Sequence, residues 1–193
     1  DLVVSAGLGG GVAVLAQPDR TTATTSFGGA TPGVPAANLP VGSVEQVAAK
    51  VVPSVVKLET DMGRASEEGS GIILSTDGLI LTNNHVVAPA ANGGKLTVKF
   101  ADGSSYTASV LGRAEGYDVA VVKLDNPPKD KLSPLPLGDS DKVNVGDATI
   151  AIGAPYGLES TVTTGIVSAK DRPVASGDET GAQASYMNAL QTD

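Results

Sequence analysis

One imidazole is available for chemistry near neutral pH. His85 is the single histidine among 193 residues, and cysteine is absent. The chain therefore has no thiol nucleophile, no disulfide framework and no multi-histidine metal site. Missing cysteines do not by themselves fix a compartment. A lone imidazole that works as a base needs a carboxylate on its second nitrogen, to fix the tautomer and stabilise the imidazolium. His85 follows the apolar run from Leu79 to Leu81 through a polar turn, Thr82-Asn83-Asn84, a place where side chains project from a rigid scaffold. Asp118 comes 33 residues later, at the head of the run Val119 to Leu124. Spacing does not choose it over Asp61, Asp102, Asp125, Asp139, Asp141 or Asp147.

Short strands must position these groups. Val56 and Leu58 alternate with Lys57 and Glu59, and Leu96, Val98 and Phe100 alternate with Thr97 and Lys99. Ala120, Val122 and Leu124 form a third inward row, and Ala148, Ile150 and Ile152 a fourth. Asp77-Gly78 and Asp102-Gly103 are hairpin turn signals between such runs. The pattern predicts strands near 54–60, 70–75, 79–83, 96–100, 105–112 and 119–124. Six short strands with tight turns suggest a small closed barrel. The Pro-rich stretch Asn126 to Pro136 crosses to a second group, near 147–153, 159–168 and 185–191. That group is either a half-sheet or a barrel that does not close by Asp193.

Ahead of the strands, Ser43 and Gln46 have capping-box spacing, and Val44, Val47, Ala48 and Val51 share one helical face. Pro53 ends that short helix. Residues 17–42 are rich in Thr, Ala, Gly and Pro and read as a linker, because they offer too little apolar surface to offset their ordering entropy. Leu2 to Ala16 carry no charge, but the stretch is shorter than a membrane span and Gly-rich. Residues 1–16 are read as the remnant of a signal or anchor segment, or as a small-residue tail; the return of charge at Asp19 and Arg20 favours the remnant. The first residue is Asp, so a processed or truncated chain is expected.

Aromatic residues make up 3%, Trp is absent and Gly totals 24, which suits short strands better than long helices. The formal net charge is −8 with no basic stripe, so nucleic acid is not an expected partner.

Several segments in order now carry a resemblance. They are Gly69-Ser70-Gly71 with the apolar residues after it, Thr82 to Val87, Tyr117 to Leu124, Ala151 to Leu158, Thr161 to Ala169, and Leu190 to Asp193. Together, over residues 43–193, they resemble the HtrA/DegP serine proteases. The anchor-like start and the Pro/Thr linker resemble those of membrane-tethered actinobacterial members. The resemblance implies an all-β, chymotrypsin-like double β-barrel, with the first barrel complete and the second partial. It assigns His85 as general base and Asp118 as the residue that orients it, in the chain order His, Asp, Ser.

Such a triad needs no cofactor or metal. The serine of the family lies in an Asn-Ser-Gly-Gly segment just past a Gln-Thr-Asp motif, and no such segment occurs in these 193 residues. Ser70 precedes His85 and matches a landmark that is not the nucleophile. The expectation is a serine endopeptidase of envelope protein quality control, membrane-tethered or secreted, acting on unfolded or misfolded polypeptides. It further implies a homotrimer, with a PDZ domain downstream, and predicts this chain alone to be inactive. The alternative is a barrel that binds unfolded segments or partners without catalysis. The stretch Asp171 to Ala184, polar and free of core periodicity, reads as a surface loop, and the resemblance implies a sensor loop there.

Overall fold

Ser43 opens the first helix, α1 (Val44–Val51), as its N-cap: its Oγ accepts from the Gln46 amide at 3.2 Å. Pro53 sits in the 3-10 turn Val52–Ser54 that closes the helix and delivers the chain into the first strand. The computed structural model describes residues 43–63, 66–91, 93–154, 161–177 and 183–193. The anchor and linker expected over residues 1–42 lie outside the described residues, as does the Pro155 to Leu158 part of one landmark. On α1, Val51 is buried and Val47 and Ala48 are half-buried, but Val44 is exposed, so the apolar face is narrower than the sequence implies.

Six antiparallel strands close into a barrel: β1 (Val55–Asp61), β2 (Ser66–Ile73), β3 (Leu79–Thr82), β4 (Lys95–Lys99), β5 (Ser105–Ala114) and β6 (Val119–Leu124). Their order around the barrel is β1-β2-β3-β6-β5-β4, and β4 pairs back onto β1. Closure removes the exposed edges that a six-stranded sheet would otherwise carry. The three inward rows expected in this half are all buried. Val56, Leu58, Leu96, Val98, Phe100, Ala120, Val122 and Leu124 form one core with Ile73 and Ile80. Phe100 and Tyr106 meet edge to face, with ring centroids 5.2 Å apart. Gly78 and Gly103 take φ values of +92° and +82°, the conformation that makes Asp-Gly a hairpin signal.

One end of the barrel is plugged by a second helix, α2 (Asn84–Ala91), where the sequence suggested only a polar turn. Its eight residues are too few to stand alone in water, and Pro89 lies inside it. Packing supplies the missing stability. Val86 and Val87 are fully buried in the barrel core, and Thr60 Oγ1 donates to the Val86 carbonyl at 2.7 Å. The two glycines of β2 make room for this plug. A Cβ on Gly69 would collide with the Val86 side chain, and one on Gly71 with Leu58 and Ile80.

Beyond the crossing segment, β7 (Ala148–Gly153), β8 (Thr161–Gly177) and β9 (Gln183–Thr192) form a three-stranded antiparallel sheet in that order. Asp171 to Ala184, read as a loop, is strand up to Gly177 and again from Gln183, and residues 178–182 lie outside the described residues. β8 continues to Gly177 and pairs with β9 as far as Gly177↔Gln183, because backbone pairing needs no apolar row. In the fourth expected row Ile150 and Ile152 are only half-buried and Ala148 is exposed. The sheet is joined to the barrel through a second apolar cluster of Val51, Val55, Ile72, Leu135 and Ala154. The architecture is a complete first barrel and a partial second sheet, mostly β. Among the described residues no helix is long and apolar enough to cross a membrane.

Candidate active site

The β3–α2 junction and the turn before β6 are neighbours because β3 and β6 are paired, Thr82 opposite Ala120. That pairing brings together two residues 33 positions apart. His85 is the second residue of α2. Asp118 follows the 3-10 turn Glu115–Tyr117 and adopts the left-handed conformation, φ 51° and ψ 43°. For a residue other than Gly this conformation is uncommon, and Asp is among those that tolerate it best.

Asp118 grips His85 twice. Its Oδ1 accepts the His85 backbone N–H at 2.9 Å, and its Oδ2 lies 2.7 Å from His85 Nδ1. The first bond satisfies one of the open amides at the start of α2 and places negative charge at the helix N-terminus, where the dipole favours it. The second bond fixes the ring. A carboxylate only accepts, so Nδ1 carries the proton, and in the neutral imidazole Nε2 is left with a lone pair. Asp118 is 7% exposed, whereas the His85 side chain is 32% exposed. The carboxylate is sheltered while the ring keeps an open edge, as a base that meets a substrate requires.

The structure therefore brings together the two residues singled out from the sequence. Of the other carboxylates, Asp102 pairs with Lys131 at 2.6 Å and Asp125 accepts from Ser109 at 2.8 Å. Asp139 caps a 3-10 turn and Asp147 accepts the Asn144 amide. Asp61 accepts the Gly63 amide and Asp141 lies in the turn that Asp139 caps. None of these bonds reaches His85. Ser70 is engaged elsewhere: its Oγ accepts the Ala154 amide at 3.0 Å, and its carbonyl accepts from Thr82 Oγ1 at 2.8 Å.

Two neighbours were not legible as site residues. Asn83 Nδ2 donates to the Asp118 carbonyl at 3.0 Å and to Asp118 Oδ2 at 3.2 Å. The Asn84 amide donates to the same carbonyl at 3.2 Å, and its side chain accepts from Arg113 Nη1 at 3.3 Å. The only signal in the sequence was the pair of asparagines before His85. A groove of about 580 Å³ lies apart from this site, between α1 and the second sheet. Val51, Leu135, Val143, Ile150 and Leu190 line it, and neither His85 nor Asp118 does. Among the described residues no cluster of side chains could hold a metal ion.

Comparison with known proteins agrees with this geometry. A model of the trypsin-like peptidase domain matches residues 69–193. Serine protease PepD of Mycobacterium tuberculosis is 54% identical over 201 aligned positions, covering 99% of this chain and 43% of that protein. A probable periplasmic serine protease of the do/HhoA-like type from Haemophilus influenzae is 44% identical over 126 positions, covering 65% of this chain and 25% of that one. Among solved structures, the HtrA-type protease AlgW with a tripeptide superposes with a TM-score of 0.63 at 35% identity, covering 77% of this chain and 45% of the other. The chain spans less than half the length of these curated relatives. With the barrel, the order of its landmarks and these matches in agreement, the chain belongs to the trypsin-like peptidase domain family, in its HtrA/DegP branch.

Proposed function

We propose that this polypeptide contributes the base and its orienting acid to a serine endopeptidase, with His85 as general base and Asp118 as its partner. One observation carries the reading: Asp118 holds His85 through both the ring, at 2.7 Å, and the backbone, at 2.9 Å. A barrel that only binds unfolded segments has no need of an imidazole locked in one tautomer beside a buried carboxylate.

In the reaction a serine hydroxyl gives its proton to His85 Nε2 while its oxygen attacks the scissile carbonyl carbon. The imidazolium formed is stabilised by Asp118. It then returns the proton to the departing amine, leaving an acyl-enzyme that water hydrolyses by the same base. The Asn-Ser-Gly-Gly segment that would supply this serine does not occur among these residues.

Relatives named as periplasmic serine proteases support an extracytoplasmic, envelope location for this one, and the uncharged Leu2 to Ala16 support tethering. The substrate class is unfolded or misfolded polypeptide, and the assembly a trimer joined near α1, with a PDZ domain downstream. Labelling by a fluorophosphonate probe tests the reading. The protein extended past Asp193 labels stoichiometrically and its His85→Ala variant does not; equal labelling of both would remove His85 from the mechanism.

A further inference from the structure

Asn83 uses both protons of its side-chain amide on one residue. Nδ2 donates to the Asp118 carbonyl at 3.0 Å and to the Asp118 carboxylate at Oδ2, at 3.2 Å. Both acceptors are oxygens that can only accept, so the amide nitrogen must face them. Resting on the reading of His85 and Asp118 as a catalytic pair, we propose that Asn83 is the positioning residue of that pair, holding the Asp118 carboxylate in the plane that serves His85 Nδ1.

Three features support this. First, Oδ2 is the same oxygen that faces Nδ1, so the Asn83 bond acts on the atom that matters to the ring. A carboxylate turns easily about its last torsion, which is broad rather than staggered. With Oδ1 tied to the His85 amide and Oδ2 to Asn83, that rotation is closed from both ends. Second, Asp118 holds a left-handed backbone, φ 51°, and its carbonyl is fixed there by Asn83 Nδ2 and the Asn84 amide together. The bonds that retain an uncommon conformation are the ones that aim its side chain. Third, Asn83 lies on the rigid β3–α2 junction, one residue past Thr82, whose own hydroxyl is tied to the Ser70 carbonyl. The two asparagines divide the work: Asn84 is braced by Arg113, which also pairs with Glu115 at 2.8 Å, and Asn83 serves the carboxylate.

The single histidine gives a direct readout. In the chain labelled with ¹⁵N-histidine, one pair of ring nitrogens is observed, and they belong to His85. With its ring neutral, the wild type should show a protonated Nδ1 with a slowly exchanging proton. Asn83→Asp keeps the side-chain shape and removes the donors; Asn83→Ala removes the contact altogether. In each the Nδ1 proton should exchange fast, with the ring sampling the Nε2–H tautomer, while the backbone amide spectrum stays dispersed. Asp118→Asn is the control for the pair itself. If it leaves the ring signals unchanged, the His85–Asp118 reading fails. If it changes them but both Asn83 variants match wild type, the pair stands and the Asn83 proposal is wrong.

A measurement on unaltered protein guards against variants that do not fold. Both Asn83 Nδ2 protons should be protected from solvent exchange, and fast exchange of both would overturn the proposal. In the protein extended past Asp193, the variants should lower kcat about 10- to 100-fold, the scale of one hydrogen bond to a charged group, and leave KM within about twofold. A change in KM at unchanged kcat would contradict a positioning role.

Discussion

Ser70 Oγ accepts the Ala154 amide at 3.0 Å, a bond across 84 residues that joins a strand of the closed barrel to the end of β7. The same residue's carbonyl is held by Thr82, two residues before Asn84 begins α2. Ser70 is thus a fastening between the two halves, with one side on the second sheet and the other on the strand that leads into α2. Ser70→Ala should lower the stability of the described unit by about 1 kcal/mol, the net value of one such hydrogen bond. A urea titration monitored by far-ultraviolet circular dichroism measures it. An unchanged midpoint would mean that the apolar cluster around Ile72 and Ala154 holds the halves together without it.

The glycines on either side of Ser70 make a sharper case. Gly69→Ala forces a methyl into the Val86 side chain, and Gly71→Ala forces one into Leu58 and Ile80. Overpacking of this kind costs about 1–3 kcal/mol, and Val86 is a stiff, buried, β-branched neighbour of His85. Gly69→Ala should therefore lower the melting temperature and, in the protein extended past Asp193, also kcat. Gly116→Ala, which meets no neighbouring atom, is the matched control and should change stability by no more than about 0.5 kcal/mol. Equal melting temperatures for the Gly69 and Gly116 variants would show that α2 moves aside freely.

A charge ladder crosses the outer face of the barrel and should make stability depend on pH. Lys57, nearly buried, pairs with Glu59 at 2.7 Å and Glu68 at 2.6 Å, and Glu59 reaches on to Lys99 at 2.8 Å. The Lys57 bond, then the Lys99 bond, hold the Glu59 carboxyl below its ordinary value of 4.5 against the opposing effect of burial. A carboxyl with a lowered pKa stabilises the fold above its unfolded value, and this contribution is lost as pH falls through the folded value. Burial pulls the Lys57 ammonium down, but its bonds to Glu59 and Glu68 outweigh that and raise it above 10.5. Its contribution is complete below 10.5 and fades as pH rises through the folded value. Melting temperatures should accordingly be level near neutrality and fall below about pH 4.5. Lys57→Met should flatten that acid limb, since Glu59 loses its principal partner. Superimposable acid limbs in wild type and variant would contradict the assignment.

The first barrel was legible where alternate residues of a strand enter its core, so that period two in Val56-Leu58 or Ala120-Val122-Leu124 reports on that core. The second sheet was harder. Its fourth row is only partly covered, and the outer arms of β8 and β9 follow backbone pairing through a polar, Gly-containing stretch. Helix α2 escaped because eight residues with an internal proline carry no periodic signal; the helix exists through Val86 and Val87 in the barrel. At the site, residue type pointed to His85, and spacing did not choose among the aspartates. The choice of Asp118 came from resemblance; the two residues meet through the β3–β6 pairing, a long-range contact that local pattern does not encode. Asn83 was overlooked for the same reason, since its partner lies 35 residues away.

The central claim, that Asp118 orients His85 for catalysis, meets its most direct test in steady-state hydrolysis of unfolded casein by the protein extended past Asp193. Asp118→Asn keeps the size of the side chain while favouring the wrong imidazole tautomer. In a trypsin-type triad the corresponding change lowers kcat on the order of 10⁴, and a loss of that scale with a native melting temperature is the result expected here. Near wild-type turnover by a folded Asp118→Asn enzyme would contradict it, because the 2.7 Å contact to Nδ1 would then have no part in the reaction.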